Sequence, residues 1–402
     1  MFNKLTKIFR QGEKSKKSED SQLLARHIVL KDIGKKLYTD RNGEGITVNS
    51  GKHLHVMMYG NNDLLLYLAR QITLLCHFPN FDDETGKNRS LITFVIPNKD
   101  DLKDTVERFK DITGNLLTKE DAIGAYWDSR IVTTDSSQIV ERSDVEQSFL
   151  DFEFSFVALD DISFFDYVKG KYSSIDESVI STFICCKGAL SEEFNTAYFD
   201  NSYVIDEMDF NGKDIALKQE DINRAKLVNT VYNMGAKLMY IRDMYEVKQY
   251  KIIIDILCRY TSKSKINDFW NKASDMDKFS SLCCADCFDV KLNSLSKYGI
   301  KDVSISDLIK DNIVALAVSE HARWNMEKFI LGFSPYTTEQ IYNDINLSSQ
   351  ERNAERKRLK KKESTHINLC SYQQLMRIDR ENFKYDCFLI LAMDKIIKKA
   401  NK

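Results

Sequence analysis

The helical half of the chain is built around one stretch, Val314-Ala-Leu-Ala-Val-Ser-Glu-His-Ala-Arg-Trp-Asn-Met-Glu-Lys-Phe-Ile-Leu-Gly-Phe333, which we predict to be a helix. Its middle carries Glu320, His321, Arg323 and Trp324 almost side by side. Residues three and four positions apart lie on one face of a helix, so Glu320, Arg323 and Trp324 share a face. An acid, an imidazole, a guanidinium and an indole this close together are typical of a site that binds something polar and flat.

The bulk composition sets the scale of the protein. The chain has 402 residues, of which 43% are hydrophobic and 29% charged, so it can bury a large core and is expected to form two or three domains. The formal net charge of −2 gives no overall field that would steer the molecule to nucleic acid or to an acidic membrane. We therefore expect no sequence-specific nucleic-acid binding.

The cysteines and the hydropathy pattern predict a cytoplasmic protein. There are 9 cysteines, and adjacent ones such as Cys185 and Cys186 lie in apolar runs, which suits reduced, buried thiols better than disulfides. No apolar run reaches the roughly 18 residues needed for a membrane span, and the N-terminus lacks the apolar core of a signal peptide.

Residues 1–45 are predicted to be a basic N-terminal tail or helix and a linker. Within residues 1–10, Phe2, Leu5, Ile8 and Phe9 fall at helical spacing opposite basic side chains. This pattern is typical of a short helix that lies on a membrane surface. A basic tail, or a helix that docks on a partner protein, explains the same pattern.

Apolar strands that alternate with helices predict an α/β domain over residues 46–215. The predicted strands are residues 53–60, 91–96, 130–133, 154–159, 181–186 and 203–205. Continuous apolar strands of this kind form a parallel sheet that helices cover on both faces. The arrangement resembles a Rossmann-type domain of the TrkA-N family, the nucleotide-binding regulatory unit of potassium channels and transporters.

The TrkA-N resemblance implies a nucleotide site after the first strand, at Gly60, Asn61 and Asn62. The family has a glycine-rich turn there, whereas this sequence has Gly60 alone, followed by Asp63, which would repel a pyrophosphate. Two interpretations stay open. Either the domain binds a nucleotide at this turn, or it is a scaffold for packing or dimerisation without a cofactor.

A second motif extends from the opening stretch to the C-terminal helix. The positions that follow Trp324 in this motif are Gly332, Phe333, His366, Leu369, Tyr372, Leu375, Tyr385 and Asp386. Together with His321-x-x-Trp324 they resemble a RyR domain, a helical repeat first known from ryanodine receptors and also found in bacterial and phage proteins. The resemblance covers residues 311–395, with Ser371 where the family usually has proline.

A degenerate copy of this repeat is predicted upstream, in residues 216–300. Asn229 and Tyr232 have the spacing of His321 and Trp324. In addition, Trp270, Ala273 and Asp277 precede Tyr372, Leu375 and Asp379 by a constant offset. Two stacked repeats bury a continuous core, so the first repeat is predicted to be scaffold and the second, in residues 301–402, to carry the site.

The candidate ligand-binding residues are Glu320, His321, Arg323, Trp324, His366, Tyr372 and Asp386. An arginine presents a planar fork to phosphate or carboxylate, and tryptophan and tyrosine stack on rings. The competing interpretation is structural: Trp324 belongs to the core, while Glu320 and Arg323 form an ion pair with the closing helix that holds the fold.

Catalysis is not favoured by the sequence. A nucleophile, a base and an orienting group are needed, and Cys370 near His366 has no third member. Cys284-Ala-Asp-Cys287 lacks a second ligand pair, so we predict buried thiols there and no metal site. The basic run in residues 351–363 is predicted to be a solvated helix face, with phosphate or RNA binding as the alternative.

The predicted fold class is an α/β Rossmann-like parallel-sheet domain followed by an all-α region of two RyR-like repeats. The predicted function is a non-catalytic cytoplasmic sensor or adaptor, expected to be a homo-oligomer, that binds a small anionic ligand such as a nucleotide or a cyclic-nucleotide second messenger. The alternatives are an enzyme that processes a nucleotide in the Rossmann-like domain, and a module that only binds other proteins.

Overall fold

The computed structural model of the protein describes residues 16–33, 46–59, 63–82, 85, 87–96, 107, 127–133, 156–159, 183–185, 202–204, 216–239, 254, 261–295 and 304–400. The predicted membrane-contacting segment, residues 1–10, and the predicted phosphate turn at Gly60, Asn61 and Asn62 lie outside these residues. Among the helices of the described ranges, none is both long and apolar enough to cross a membrane.

The first described element is a buried helical arm. Helix α1 (Lys16–His27) continues into a π-helical turn (Ile28–Ile33), and Leu24, Ala25 and Ile28 are buried. Arg26 is buried with them and donates two hydrogen bonds to the carboxylate of Asp286, at 2.8 and 2.7 Å. Residues 21–29 of this arm are therefore packed, and a bidentate ion pair ties them to the second half of the chain.

Helix α2 (Asp63–Leu75) is apolar on almost its whole circumference. A helix with no polar face has to be surrounded by protein, and Leu64, Leu68 and Ile72 are all fully buried. The helix packs mainly against α1 and also contacts helices of the second half of the chain, with only a small contact to the strand that precedes it.

Six short strands pair in parallel. They are β1 (His55–Tyr59), β2 (Ser90–Ile96), β3 (Trp127–Thr133), β4 (Phe156–Leu159), β5 (Phe183–Cys185) and β6 (Ser202–Val204). Strand β1 lies between β2 and β4, which gives the order β3-β2-β1-β4-β5-β6. Each strand overlaps an apolar run that the sequence predicted as a strand.

The predicted fold class, an α/β Rossmann-like domain followed by an all-α region, is nevertheless wrong. Most described residues are helical, and no Rossmann-like domain is evident in the parts of the chain that the structure describes. One physical reason lies in α2: it follows β1, as the prediction required, and shares an apolar cluster with Val56 and Ile92, but most of its contacts are with other helices. Apolar runs mark strands, but they do not say which layer a neighbouring helix joins.

Twelve helices are described in all, ten of them in the second half of the chain. These ten are α3 (Gln219–Met239), α4 (Lys263–Lys272), α5 (Asp275–Asp286), α6 (Phe288–Asn293), α7 (Ile305–Asp311), α8 (Ile313–Ile330), α9 (Thr338–Asn346), α10 (Ser349–Lys362), α11 (Tyr372–Ile378) and α12 (Arg380–Ala400). Two very short strands, β7 (Ser334–Pro335) and β8 (Thr365–His366), pair in parallel at the base of the α9–α10 hairpin.

Two large apolar clusters hold these helices together. The first joins residues of α1 and α2 with Trp270, Phe329 and Leu369, so the N-terminal helices and the second half of the chain share one core. The second cluster joins α3, α5, α6, α8 and α12, with Phe288 and Ile390 fully buried in it. The division of the chain at about residue 215 stays a prediction.

Local sequence chemistry sets the helix ends near the predicted site. Ser371, which stands where the RyR-type pattern has proline, is the N-cap of α11: its hydroxyl accepts from the Gln374 amide at 3.2 Å. The Ser371 amide in turn donates to Gln374 Oε1, also at 3.2 Å, which completes a capping box. Proline has no amide hydrogen, so serine provides a bond that proline cannot.

The crossing of α3 and α12 generates the first prediction. Gly235 is where the two helices approach most closely, because a Cβ added there would lie 2.8 Å from Cδ1 and Cε1 of Phe388. We expect Gly235→Ala to lower the free energy of unfolding by about 1–3 kcal/mol through overpacking, although alanine normally stabilises a helix by ~1 kcal/mol relative to glycine. Urea denaturation measures the difference.

The matched control is Gly51→Ala, because an added Cβ there has open space around it and should leave stability nearly unchanged. Combining Gly235→Ala with Phe388→Leu should cost less than the sum of the two single changes, since leucine relieves the contact. A Gly235→Ala protein as stable as the parent would contradict the close approach.

Candidate ligand-binding site

Helix α8 (Ile313–Ile330) confirms the predicted helix and places its polar residues inside the protein. Glu320, His321 and Arg323 are only 1%, 3% and 1% exposed. Trp324 is partly buried and packs against the cluster that α2 and Phe329 share. Buried polar groups need partners, and the partners of these residues determine what each can do.

Arg323 forms a buried ion pair with carboxylates on both sides of it along α8. Its Nε donates to Glu320 Oε1 at 2.9 Å, and its Nη1 donates to Glu327 Oε2 at 2.7 Å. Burial raises the pKa of Glu320 and of Glu327, but neighbouring cations outweigh burial and lower both. Both carboxylates are therefore charged, and the guanidinium fork faces them. The structural interpretation of the sequence expected such an ion pair with the closing helix, whereas the ion pairs shown for Glu320 and Arg323 lie within α8 and with Lys291 of α6.

Two lysines extend this pair into a network. Lys291 of α6 is fully buried, with its Nζ 3.0 Å from Glu320 Oε2. Lys328 donates from Nζ to Glu327 Oε1 at 2.7 Å, and the Ser280 hydroxyl of α5 donates to the other oxygen of Glu327 at 2.9 Å. We call these five charged groups, Lys291, Glu320, Arg323, Glu327 and Lys328, the buried charge network.

His321 faces the other side of α8. Its Nε2 donates to the backbone oxygen of Cys370 at 2.9 Å, and its Nδ1 lies 3.5 Å from Asp386 Oδ2. Burial alone would lower the pKa of His321, but Asp386 and Cys370 accept from the ring and raise it to about 10.

Two opposing effects act on the pKa of the Asp386 carboxyl. Burial raises its pKa more than its bond to His321 lowers it. Because each ring nitrogen of His321 faces an oxygen acceptor, we assign the pair as an imidazolium and a carboxylate at neutral pH.

Trp324 and His366 meet at the surface end of α8. Their ring centroids are 5.0 Å apart in an edge-to-face arrangement at 77°. Lys328 Nζ lies 5.4 Å from the centre of the Trp324 ring, which is cation–π range. His321 stacks on the far side of the indole at 6.0 Å. The indole is thus surrounded by groups that are charged or able to donate hydrogen bonds.

His366 is neutral, and its tautomer follows from its contacts. Burial lowers its pKa to about 3, with Lys360 and Lys328 as the next contributors, so the local potential is positive. Nδ1 accepts a hydrogen bond from the Asn368 amide at 3.2 Å. The single proton of the neutral ring is therefore on Nε2, where it can be donated.

Lys360 of α10 is a residue that the sequence analysis assigned to a solvated face. The residue is exposed to solvent overall. Protein nevertheless encloses part of its surroundings, and this desolvation, followed by the charge of Lys328, lowers the pKa of its ammonium group. Lys328 lies beside the indole of Trp324, and the charges of both lysines act on the imidazole of His366. We call Trp324, Lys328, Lys360 and His366 the aromatic–basic cluster.

A tyrosine pair adjoins this cluster. The rings of Tyr232 and Tyr385 are 5.1 Å apart and tilted by 32°. Tyr232 is 46% exposed, yet burial, followed by Tyr385 and Asp386, raises the pKa of its hydroxyl. A ring that is open to solvent and still surrounded by protein lines a concave surface. Tyr232 belongs to the degenerate repeat that the sequence analysis treated as scaffold.

The structure divides the seven predicted ligand-binding residues among three environments. Glu320 and Arg323 belong to the buried charge network; His321, Trp324, His366 and Asp386 lie together on the opposite side. Tyr372 packs on Phe383 at 4.5 Å, in an apolar cluster with Cys370 and Leu375. Lys328 was missed because a lone lysine has no distinctive sequence pattern, whereas Lys360 belongs to the basic run that was predicted to be a solvated face, and its sequence does not distinguish it from its basic neighbours.

Other features of the described residues lie apart from this site. The thiols of Cys284 and Cys287 are free and buried, which raises their pKa and confirms the predicted buried thiols. A small cavity lies between α2 and α8, and it is lined by Cys76, His77, Phe78, Phe81, Asn88, Ser90 and Ala322.

Comparison with models of protein families, with characterised proteins and with solved structures gives no match for this chain. The RyR-type and TrkA-N-type resemblances therefore stay predictions, and the candidate site stands on its own geometry.

The buried charge network predicts a large effect of one substitution. Arg323→Met removes the cation between Glu320 and Glu327 and leaves two buried carboxylates with fewer partners. We expect a loss of about 3–5 kcal/mol in the free energy of unfolding, measured in urea. The control is Arg358→Met, which breaks exposed pairs with Glu355 and Glu363 on α10 and should change stability little. Equal effects of the two substitutions would refute the network.

The His321–Asp386 pair predicts a pH dependence with a definite sign. The folded-state pKa of His321 is raised from 6.5 to about 10, so the stabilisation it provides is complete below pH 6.5 and is lost as the pH rises towards 10. Asp386→Asn removes the charged acceptor and should flatten this part of the curve. Urea unfolding between pH 6 and 10 compares the two proteins, and parallel curves would contradict the assignment.

Proposed function

We propose that the protein is a non-catalytic sensor or adaptor whose C-terminal RyR-type region binds a small anionic ligand at the aromatic–basic cluster. A nucleotide or a cyclic-nucleotide second messenger is the first candidate, because it combines negative charge with a flat ring. Binding is expected to change contacts with a partner or with a second copy of the chain. The proposal moves the predicted anion contact from Arg323 to Lys328 and Lys360.

The observation that carries the proposal is a surplus of positive charge. The buried charge network contains three cations, Lys291, Arg323 and Lys328, but two carboxylates, Glu320 and Glu327. Buried charges are stable only when they are paired. Lys328 is the member at the edge of the network, beside Trp324, so an anion bound there would complete the pairing.

The neighbours of Lys328 suit an anion that carries a ring. Lys360 supplies a second, exposed ammonium group, and His366 supplies a neutral Nε2–H donor. Trp324 offers its indole between these groups, with Lys328 Nζ over the ring. Charge, a directional donor and an aromatic surface within one cluster are what recognition of a planar anion requires.

Two further polar atoms flank His366 along the chain. Thr365 Oγ1 and Asn368 Oδ1 are buried, and neither has a hydrogen-bond partner within the described residues. An unsatisfied buried polar atom costs about 1–3 kcal/mol, so both atoms favour a site that a polar ligand or ordered water completes.

The titration states of nearby groups favour binding over catalysis. His321 is held as a cation by two oxygen acceptors, so it has no free lone pair with which to take a proton. Burial keeps the thiols of Cys283, Cys284 and Cys287 protonated by raising their pKa. A general base or a thiolate nucleophile needs the opposite conditions.

The test is a thermal-shift series with AMP, ATP, cyclic AMP, cyclic GMP and inorganic pyrophosphate, followed by calorimetric titration of those that raise the melting temperature. At least one should stabilise the parent protein. Lys360→Met should weaken that ligand about tenfold, since it removes one charge-assisted contact of roughly 1.5 kcal/mol. Lys361→Met, the next residue on the same exposed helix, should bind as the parent does. The proposal fails if no compound stabilises the parent, or if Lys360→Met binds equally well.

A further inference from the structure

Lys360 belongs to a helical hairpin that stands apart from the other elements of the site. The hairpin consists of α9 and α10, which run antiparallel: Gln340 Nε2 donates to Glu363 Oε2 at 3.1 Å near one end, and Arg352 Nε donates to the Asp344 carbonyl at 3.0 Å near the other. Its base is the short β7–β8 pair. Lys360 can face Lys328 only if the hairpin is held at the correct angle to α8.

Arg356 makes the polar contact that fixes the hairpin. Its Nε and Nη2 donate to the two carboxylate oxygens of Asp344, both at 2.8 Å, which is a bidentate pair within the hairpin. Its Nη1 donates to Asp379 Oδ2 at 2.8 Å, and Asp379 lies outside the hairpin, between α11 and α12. One guanidinium thus bridges the hairpin and the body of the protein.

The position of Arg356 in the sequence connects this bridge to the site. Lys360 follows it by four residues, which is one helical turn on the same side of α10. Leu359, between them, is buried with Tyr336 and Ile367. His366 immediately precedes Ile367, so the surface that receives the hairpin also positions His366.

We propose that Arg356 is a positioning residue of the ligand site: by bridging Asp344 and Asp379 it holds the α9–α10 hairpin so that Lys360 faces Lys328 and His366. The inference rests on the proposed function, because the site it positions is the aromatic–basic cluster. Arg356 would thereby influence which ligands bind, although it touches none of them.

The electrostatics explain why such a bridge is needed. Burial lowers the pKa of Lys360, the charge of Lys328 lowers it further, and the carboxylates of Asp277 and Glu327 oppose both effects. A hairpin released from the body would move Lys360 further into solvent and away from Lys328. The bridge opposes that movement and so keeps the charge of Lys360 on the side of Lys328 and His366.

Asp379→Asn is the decisive variant, because it weakens the bridge at the body and keeps the charge of Arg356. The measurement is the pH dependence of acetylation at Lys360 by acetic anhydride, quantified by mass spectrometry, which reports the pKa of that lysine. Removing a carboxylate would by itself lower the pKa of a nearby lysine. We expect the pKa of Lys360 to rise instead, because displacement of the hairpin returns this ammonium group to solvent and moves it away from Lys328.

The control for the labelling is Glu355→Gln, which removes a carboxylate from the same helix but breaks only the exposed pair with Arg358. It should leave the pKa of Lys360 where it is in the parent protein. An unchanged or lower pKa of Lys360 in Asp379→Asn would overturn the inference.

Binding of inorganic pyrophosphate and of AMP, measured by calorimetry, completes the test. Asp379→Asn should weaken whichever of the two binds the parent by about fivefold to tenfold, and it should have almost no further effect when Lys360→Met is already present. If the parent binds but Asp379→Asn binds equally well, the inference fails and the proposed function stands. If the parent binds neither of these compounds nor ATP, cyclic AMP or cyclic GMP, both fail.

Discussion

The ion pairs of Arg323 are the interaction on which the second half of the structure depends. One guanidinium, 1% exposed, lies between Glu320 and Glu327 on the same helix, and each carboxylate reaches a second element: Lys291 on α6 and Ser280 on α5. A buried charge is tolerated only when a charge of opposite sign lies beside it. The network therefore sets the rotation of α8 about its axis, because any other rotation would leave a charged group unpaired in the core.

The rotation of α8 then determines what reaches the surface. With Glu320, Arg323 and Glu327 turned towards α5 and α6, His321 faces Cys370 and Asp386, and Trp324 meets His366. Lys328 lies between the two sides, since it pairs with Glu327 and also contacts the Trp324 ring. The same helix therefore carries a structural network and the candidate site, and the excess cation of the network is also the innermost group of the site.

Two peripheral segments, the N-terminal helix α1 and the α9–α10 hairpin, are each attached by one arginine to the helices around α8. Arg26 ties the N-terminal helix to Asp286 at the end of α5, and Arg356 ties the α9–α10 hairpin to Asp379. Arg26 binds Asp286 in a bidentate pair. Arg356 holds Asp344 in a bidentate pair and reaches Asp379 with its remaining nitrogen, which a lysine could not reproduce. The two contacts differ in consequence, because Arg26 is buried in a shared apolar core, whereas Arg356 is partly exposed and holds a hairpin beside the candidate site.

The sequence by itself determined the local structure of this protein. Helix α8 and the strand positions followed from periodicity and apolar runs, and the motif His321-x-x-Trp324 with His366 and Asp386 located one side of the site. Only the tertiary structure decided the rest. It made most described residues helical and so overturned the Rossmann-like fold class, turned Arg323 inward, packed Tyr372 on Phe383, and brought Lys328 and His366 to Trp324. The physical reason is that the spacing of residues along a chain shows which face of a helix or strand each one occupies. The residues that pack against that face come from distant segments, and these meet only when the whole core is packed.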